Sequence, residues 1–216
     1  MSESITILDD KLREQLTPFL GHLPEPVKFV VWGDPAGSVG EQEAMRLGQT
    51  LTHWFDNLAF EVRPRKADYG YYPVIGLMGG KDGVEVDYRV RLIGLPAGYQ
   101  INSLVGAIQA VSFRASHLEG RTRIQLSRVP AGVDLQLFTA TNDEAGPLVA
   151  SLINSFAVAS PHIQALTIMA DVFTQAVLRY SIRKLPHLVI NDRVHFEGTL
   201  NENDLLQQIA LALKQK

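Results

Sequence analysis

Apolar spacing in this chain runs through one order of elements and then, about a hundred residues further on, through the same order again. Residues 9–20 have helical spacing, with Leu12, Leu16, Phe19 and Leu20 on one side and Asp9 or Asp10 placed to cap the free amides; Gly21 and Pro24 stop it. A β-branched and aromatic run at 27–32 predicts a buried strand, a turn-rich loop fills 33–40, and 41–55 returns to helical spacing through Ala44, Leu47, Leu51 and Trp54 or Phe55. Strand-like runs follow near 60–63, at 73–78 and at 88–93. The last two are joined by the glycine-rich turn 79–83, and a helix over 101–114 closes the unit. The second pass has a helix at 121–128 and a strand at 133–140. Its loop 141–146 leads through Pro147, a favourable first helical residue, into a helix reaching about residue 158. Then come a strand at 163–169, a short helix at 174–182, and strands at 187–190 and 194–197 around a two-residue turn at Asn191-Asp192. The last helix, 202–214, has Asn201 or Asn203 as its cap. A repeat this long predicts two domains, 1–117 and 118–216, with the seam near residues 116–120.

Within each unit, strands linked by a helix must run parallel and the closing hairpin must be antiparallel. The expected class is therefore α/β: two tandem thioredoxin-like domains, each a mixed four-stranded sheet with helices on both faces. In that arrangement the loop after the first strand confronts the residues just before the third. Trp32 to Gly40 should face Tyr72-Pro73, and Thr141 to Pro147 should face Leu185-Pro186.

The chain has no cysteine. It therefore has no thiolate nucleophile, no disulfide to exchange and no sulfur ligand for zinc or an iron–sulfur cluster. A net charge of -3 with interspersed signs leaves no basic stripe for a nucleic-acid backbone. No stretch reaches the ~18 apolar residues of a membrane span, and no leader pattern opens the chain, so a cytoplasmic location is expected.

Other constellations are weaker. The turn 33–40 lies where a phosphate could sit on helix amides, but it lacks the lysine-hydroxyl pair and the glycine spacing of nucleotide loops. Asp143 and Glu144 suit helix capping better than acid–base work in an exposed loop. The histidines, His22, His53, His117, His162, His187 and His195, are scattered. A two-residue turn would pair Leu188 with His195 and put His187 on the opposite face, so neither a two-histidine site on this hairpin nor any other metal centre is expected. No G-x-S-x-G elbow marks a serine nucleophile. Tyr69, Tyr71 and Tyr72 read as a contact surface or as loop packing at the seam, and Arg63, Arg65 and Lys66 as a solvated face.

Three segments carry a resemblance: 138–147, Asp171-Val172-Phe173-Thr174-Gln175, and 185–191 with Leu185-Pro186-His187. They resemble the glutaredoxin-like tandem thioredoxin-fold proteins, among them the N-terminal region of the bacterial alkyl hydroperoxide reductase flavoprotein subunit and the archaeal protein disulfide oxidoreductases. The likeness spans nearly the whole chain as layout and is specific in the second half. That family places Cys-x-x-Cys where this chain, after Thr141, has Asn142-Asp143-Glu144-Ala145, so both sulfur positions are gone. Its active-site proline, usually cis, maps onto Pro186. The resemblance implies a non-catalytic protein without a cofactor, holding a protein or peptide partner in the groove beside Pro186, with a redox-pathway protein as the partner suggested by analogy. Two other readings stand beside it: an enzyme using Asp143, Glu144 or His187 as acid or base in the same groove, and a structural module, including a homo-oligomer.

Overall fold

The computed structural model of the chain describes residues 8–81 and 83–214. Its first half contains α1 (Asp10–Leu20), β1 (Val27–Trp32), α2 (Val39–Trp54), β2 (Leu58–Arg63), β3 (Val74–Lys81), β4 (Val84–Ile93) and α3 (Gln100–Ser112). The second half contains α4 (Gly120–Leu126), β5 (Val133–Thr139), α5 (Gly146–Ala159), β6 (Ile163–Met169), α6 (Thr174–Arg179), β7 (His187–Ile190), β8 (Val194–Glu197) and α7 (Glu202–Lys214).

The strands form one sheet in the order β2-β1-β3-β4-β6-β5-β7-β8. Each half supplies the four-stranded mixed unit expected of it: β1 is parallel to β2 and β5 to β6, while β3-β4 and β7-β8 are antiparallel hairpins. What periodicity does not reveal is the joint. β4 and β6 pair in parallel from Val90 opposite Ala165 to Ile93 opposite Ile168, so two sheets become one.

Alternation along the strands sorts the core into two layers. Phe29, Val31, Ile75, Leu77, Val90, Leu92, Ala165, Leu135, Leu137, Leu188 and Ile190 point to one face, where they pack with buried residues of α1, α2, α3, α5 and α7. On that side α3 and α5 meet across the joint through small residues; a Cβ on Gly106 would lie 3.4 Å from Ser151 Cβ. The opposite face carries Val30, Trp32, Val74, Met78, Ile93, Phe138, Ile168 and Val189. It is covered by α6 and by the loop bearing Tyr69, Tyr71 and Tyr72. Between that loop and α6 lies an open cleft of about 410 Å³.

The β3-β4 hairpin is longer than the glycines suggest: its strands continue to Lys81 and resume at Val84. Gly79 belongs to the strand because its bare Cα makes room for a ring; a Cβ there would stand 2.6 Å from the Tyr88 side chain. Farther along, two extra residues on β4 shift the register between Leu77 and Met78, and Arg89 takes a positive φ of 58°.

Candidate functional site

Strand directions gather the segments of interest. Because β1, β2, β4, β5 and β6 run one way and β3 and β7 the other, the loops after β1 and β5 and the residues before β3 and β7 all emerge at one end of the sheet. Tyr72-Pro73 and Leu185-Pro186 are both cis. Their carbonyls are used alike, Pro73 accepting from Gly94 N–H and Pro186 from Gly198 N–H, each at 2.9 Å. In the first half the loop does face its proline: a Cβ on Gly40 would touch Pro73 Cδ at 3.5 Å. In the second, Phe138 pairs with His187, which sets Pro186 level with Thr139 at the end of β5, two residues before Thr141.

The first loop is built around a buried carboxylate. Ser38 caps α2, and Glu41, at the third helical position, answers by accepting from Ser38 N–H at 2.8 Å, completing a capping box. Glu41 also accepts from Asp34 N–H at 2.9 Å and takes both prongs of Arg65 at 2.7 and 2.6 Å. The Arg65 guanidinium foremost, then the Asp34 and Ser38 amides, outweigh burial and hold the carboxyl down to about 2. A Cβ on Gly37 would overlap Glu41 Oε2, so glycine is required where the loop closes over the carboxylate. Arg63 and Arg65, expected as a solvated face, are ion-paired, Arg63 with Glu61 and Glu85 and Arg65 with Glu41. Behind the loop, buried Arg91 stacks on the Trp32 ring at 4.6 Å and donates to Tyr69 Oη at 2.8 Å.

The second loop is held from across the joint. Gln100, fully buried at the start of α3, donates to the carbonyls of Ala140 at 2.8 Å and Asp143 at 3.0 Å. Tyr99 N–H donates to the Thr141 carbonyl at 3.0 Å, and its hydroxyl donates to Glu144. Asp143 accepts from Thr139 Oγ1, Ala145 N–H and Gly146 N–H at 2.9 to 3.1 Å, which is a capping role for α5. Thr141 donates to Asp171 through its amide at 3.0 Å and its hydroxyl at 2.5 Å. Asp143, Glu144 and His187 are thus each engaged by a different set of partners, and no hydrogen bond links any two of them among the described residues.

Exposed apolar side chains occur at this end of the sheet, with the exposed Arg183 and Lys184 just before Leu185. Leu185 is 38% exposed, Val172 58% and Leu148 69%. These three residues lie at the same end of the sheet, before β7, after β6 and in the first turn of α5. Neither the peptide N–H nor the carbonyl of Leu185 makes a hydrogen bond among the described residues. Of the tyrosines, Tyr71 packs on Phe173 of the second half with ring centroids 4.9 Å apart, while Tyr69 packs on Trp32 of its own half at 6.0 Å.

The β7-β8 hairpin corrects one expectation. Its turn takes three residues, Asn191 and Asp192 both with positive φ, followed by Arg193, so Ile190 pairs with Val194 and Val189 with His195. One added residue moves the return strand to the other face. His187 and His195 consequently share a face, with His187 Nε2 2.9 Å from His195 Nδ1. His187 is 5% exposed, and its pKa is lowered by burial and then by His195, with Glu197 acting in the opposite direction. Among the described residues no group of three or more His, Asp or Glu is placed to hold a metal ion, and no helix is long and apolar enough to cross a membrane.

No protein-family model matches the chain. It is 22% identical over 203 residues to a component of the alkyl hydroperoxide reductase of Pseudomonas aeruginosa and 24% identical over 207 residues to the corresponding component from Xanthomonas campestris pv. phaseoli. Those matches cover 94% and 96% of this chain but only 37% of each relative, so the chain spans little more than a third of their length. Among solved structures, an N-terminal domain of alkylhydroperoxide reductase from Enterococcus faecalis superposes with a TM-score of 0.84 at 17% identity, covering 93% of this chain and 99% of the other. A protein disulfide oxidoreductase from Aeropyrum pernix does so with a TM-score of 0.86 at 21% identity, covering 97% and 95%. The chain, which has no cysteine, is thus similar in sequence to part of the hydroperoxide-reductase components and shares the tandem thioredoxin fold of these solved structures.

Proposed function

We propose that the chain is a non-catalytic binding protein that holds an extended polypeptide segment in the groove beside Pro186. The observation that carries this reading is the unpaired Leu185 peptide, at the end of the sheet where the Leu185, Val172 and Leu148 side chains are exposed. An edge of free main-chain donors and acceptors with apolar positions at the same end suits an incoming strand, whose own backbone supplies the missing hydrogen bonds. Gln100, Tyr99 and Asp143 hold the adjoining loop in place, so ordering it costs little on binding. By analogy with its hydroperoxide-reductase relatives, the partner is a protein of a redox pathway, such as a peroxiredoxin, engaged without thiol exchange.

The test uses a permanently unfolded polypeptide, reduced and carboxymethylated lactalbumin, titrated against the full chain. Saturable binding is expected, weakened roughly tenfold or more in Val172→Asp and Leu185→Asp, both surface changes that leave the core untouched. Insulin disulfides incubated with the chain should be reduced no faster than in buffer. Unchanged affinity in both variants would remove the groove from the account, and disulfide reduction above buffer would end the non-catalytic reading.

A further inference from the structure

The two histidines of the β7-β8 hairpin meet at a steep angle, ring planes at 75° and His187 Nε2 2.9 Å from His195 Nδ1. A hydrogen bond between the two rings accounts for those two nitrogens and leaves a third unexplained. His187 Nδ1 is buried without a partner among the described residues. Whichever ring donates, the problem stays: with a proton Nδ1 is a donor lacking an acceptor, and without one it is an acceptor lacking a donor. The group nearest to resolving it is Glu197, whose Oε1 stands 3.9 Å away, beyond hydrogen-bond reach.

We propose that His187 and His195 form a two-histidine chelate for a divalent transition-metal ion, binding Cu(II) more tightly than Zn(II). Two imidazole nitrogens, each about 2.0–2.1 Å from one ion and at right angles, stand about 2.9 Å apart, so the separation matches, and a turn of the exposed His195 ring that gives up the mutual hydrogen bond would aim both lone pairs at one ion. A metal on Nε2 fixes the His187 proton on Nδ1, facing the Glu197 carboxylate. Closing that gap by a side-chain rotation gives the carboxylate–histidine–metal arrangement in which the outer carboxylate orients the ligand and raises its basicity. His195 is exposed, so the ion has an entry path, and water takes the positions that the chain does not fill. Imidazole donors and the general order of divalent affinities favour copper.

The full chain, carrying no histidine tag, is titrated with Cu(II) alone and with Zn(II) alone near neutral pH, by calorimetry and, for copper, by visible absorption. One saturable equivalent is expected, with copper tighter. Copper affinity should drop roughly tenfold or more in His195→Ala, fall by a smaller factor in Glu197→Gln, and stay unchanged in His22→Ala. His195 lies on the surface, so its removal leaves the fold intact, as circular dichroism of the variant will check. No saturable copper equivalent, or one that His195→Ala leaves as tight as before, overturns the proposal.

Discussion

Glu41 shows how one side chain can hold a loop that has no catalytic pair to present. Its carboxylate is buried, and it gathers the Asp34 and Ser38 amides, the Ser38 hydroxyl and the Arg65 fork. Its pKa is depressed from 4.5 to about 2, so its contribution to stability is fully present above pH 4.5 and is lost as pH falls through 2. Glu41→Gln should cost about 2–3 kcal/mol at neutral pH, because the guanidinium loses its charge-assisted partner. The same change should also remove part of the acid dependence. In urea titrations at pH 7 and pH 3, the gap between wild type and variant should be wide at the higher pH and narrower at the lower. Half of this site carries a local signal that the helical reading from residue 41 passed over: Ser38-x-x-Glu41 before an apolar helical run is a capping-box signature. The other half carries none, because nothing in local sequence says that Arg65, 24 positions away, folds back to the same carboxylate.

At the scale of elements, existence was easier to read than register. The helices and strands lie close to where apolar spacing puts them, since burial of one face is what creates the spacing. The β7-β8 turn departs from its expected form because Asn191-Asp192 is a good two-residue turn pair only on its own. The chain uses three residues and thereby turns Val194 and Phe196 inward, a choice made by the core rather than by the turn. A similar core demand is unmet at Thr167 of β6. Its side chain is fully buried between the β4 and β5 neighbours Leu92 and Leu137, and its hydroxyl has no partner among the described residues. Thr167→Val keeps the shape and removes the unpaired polar group, so stability should rise by about 1 kcal/mol. The check is the urea midpoint at constant m-value, and a midpoint below wild type would show that the hydroxyl is satisfied after all.

Across the whole molecule, the repeat explains two similar halves but not their union. The β4-β6 pairing, the close packing of α3 on α5 and the reach of Gln100 into the second loop join them through main chain, core and polar contacts together. None of these has a periodic signature, because each depends on residues that are ordinary within their own half. Coupling of this kind predicts that damage far from the joint will be felt on its other side. Both tryptophans, Trp32 and Trp54, lie in the first half, so indole fluorescence reports that half alone while far-ultraviolet circular dichroism reports both. Leu205, fully buried in α7, belongs to the far end of the second half, where α7 packs on α4, β7 and β8. Leu205→Ala should cost roughly 2–5 kcal/mol through the cavity it leaves. If the molecule unfolds as one cooperative unit, the fluorescence midpoint in urea will fall together with the circular-dichroism midpoint, although no tryptophan is near the substitution. Halves that unfold independently would instead leave the fluorescence curve where wild type has it and split the dichroism curve into two steps.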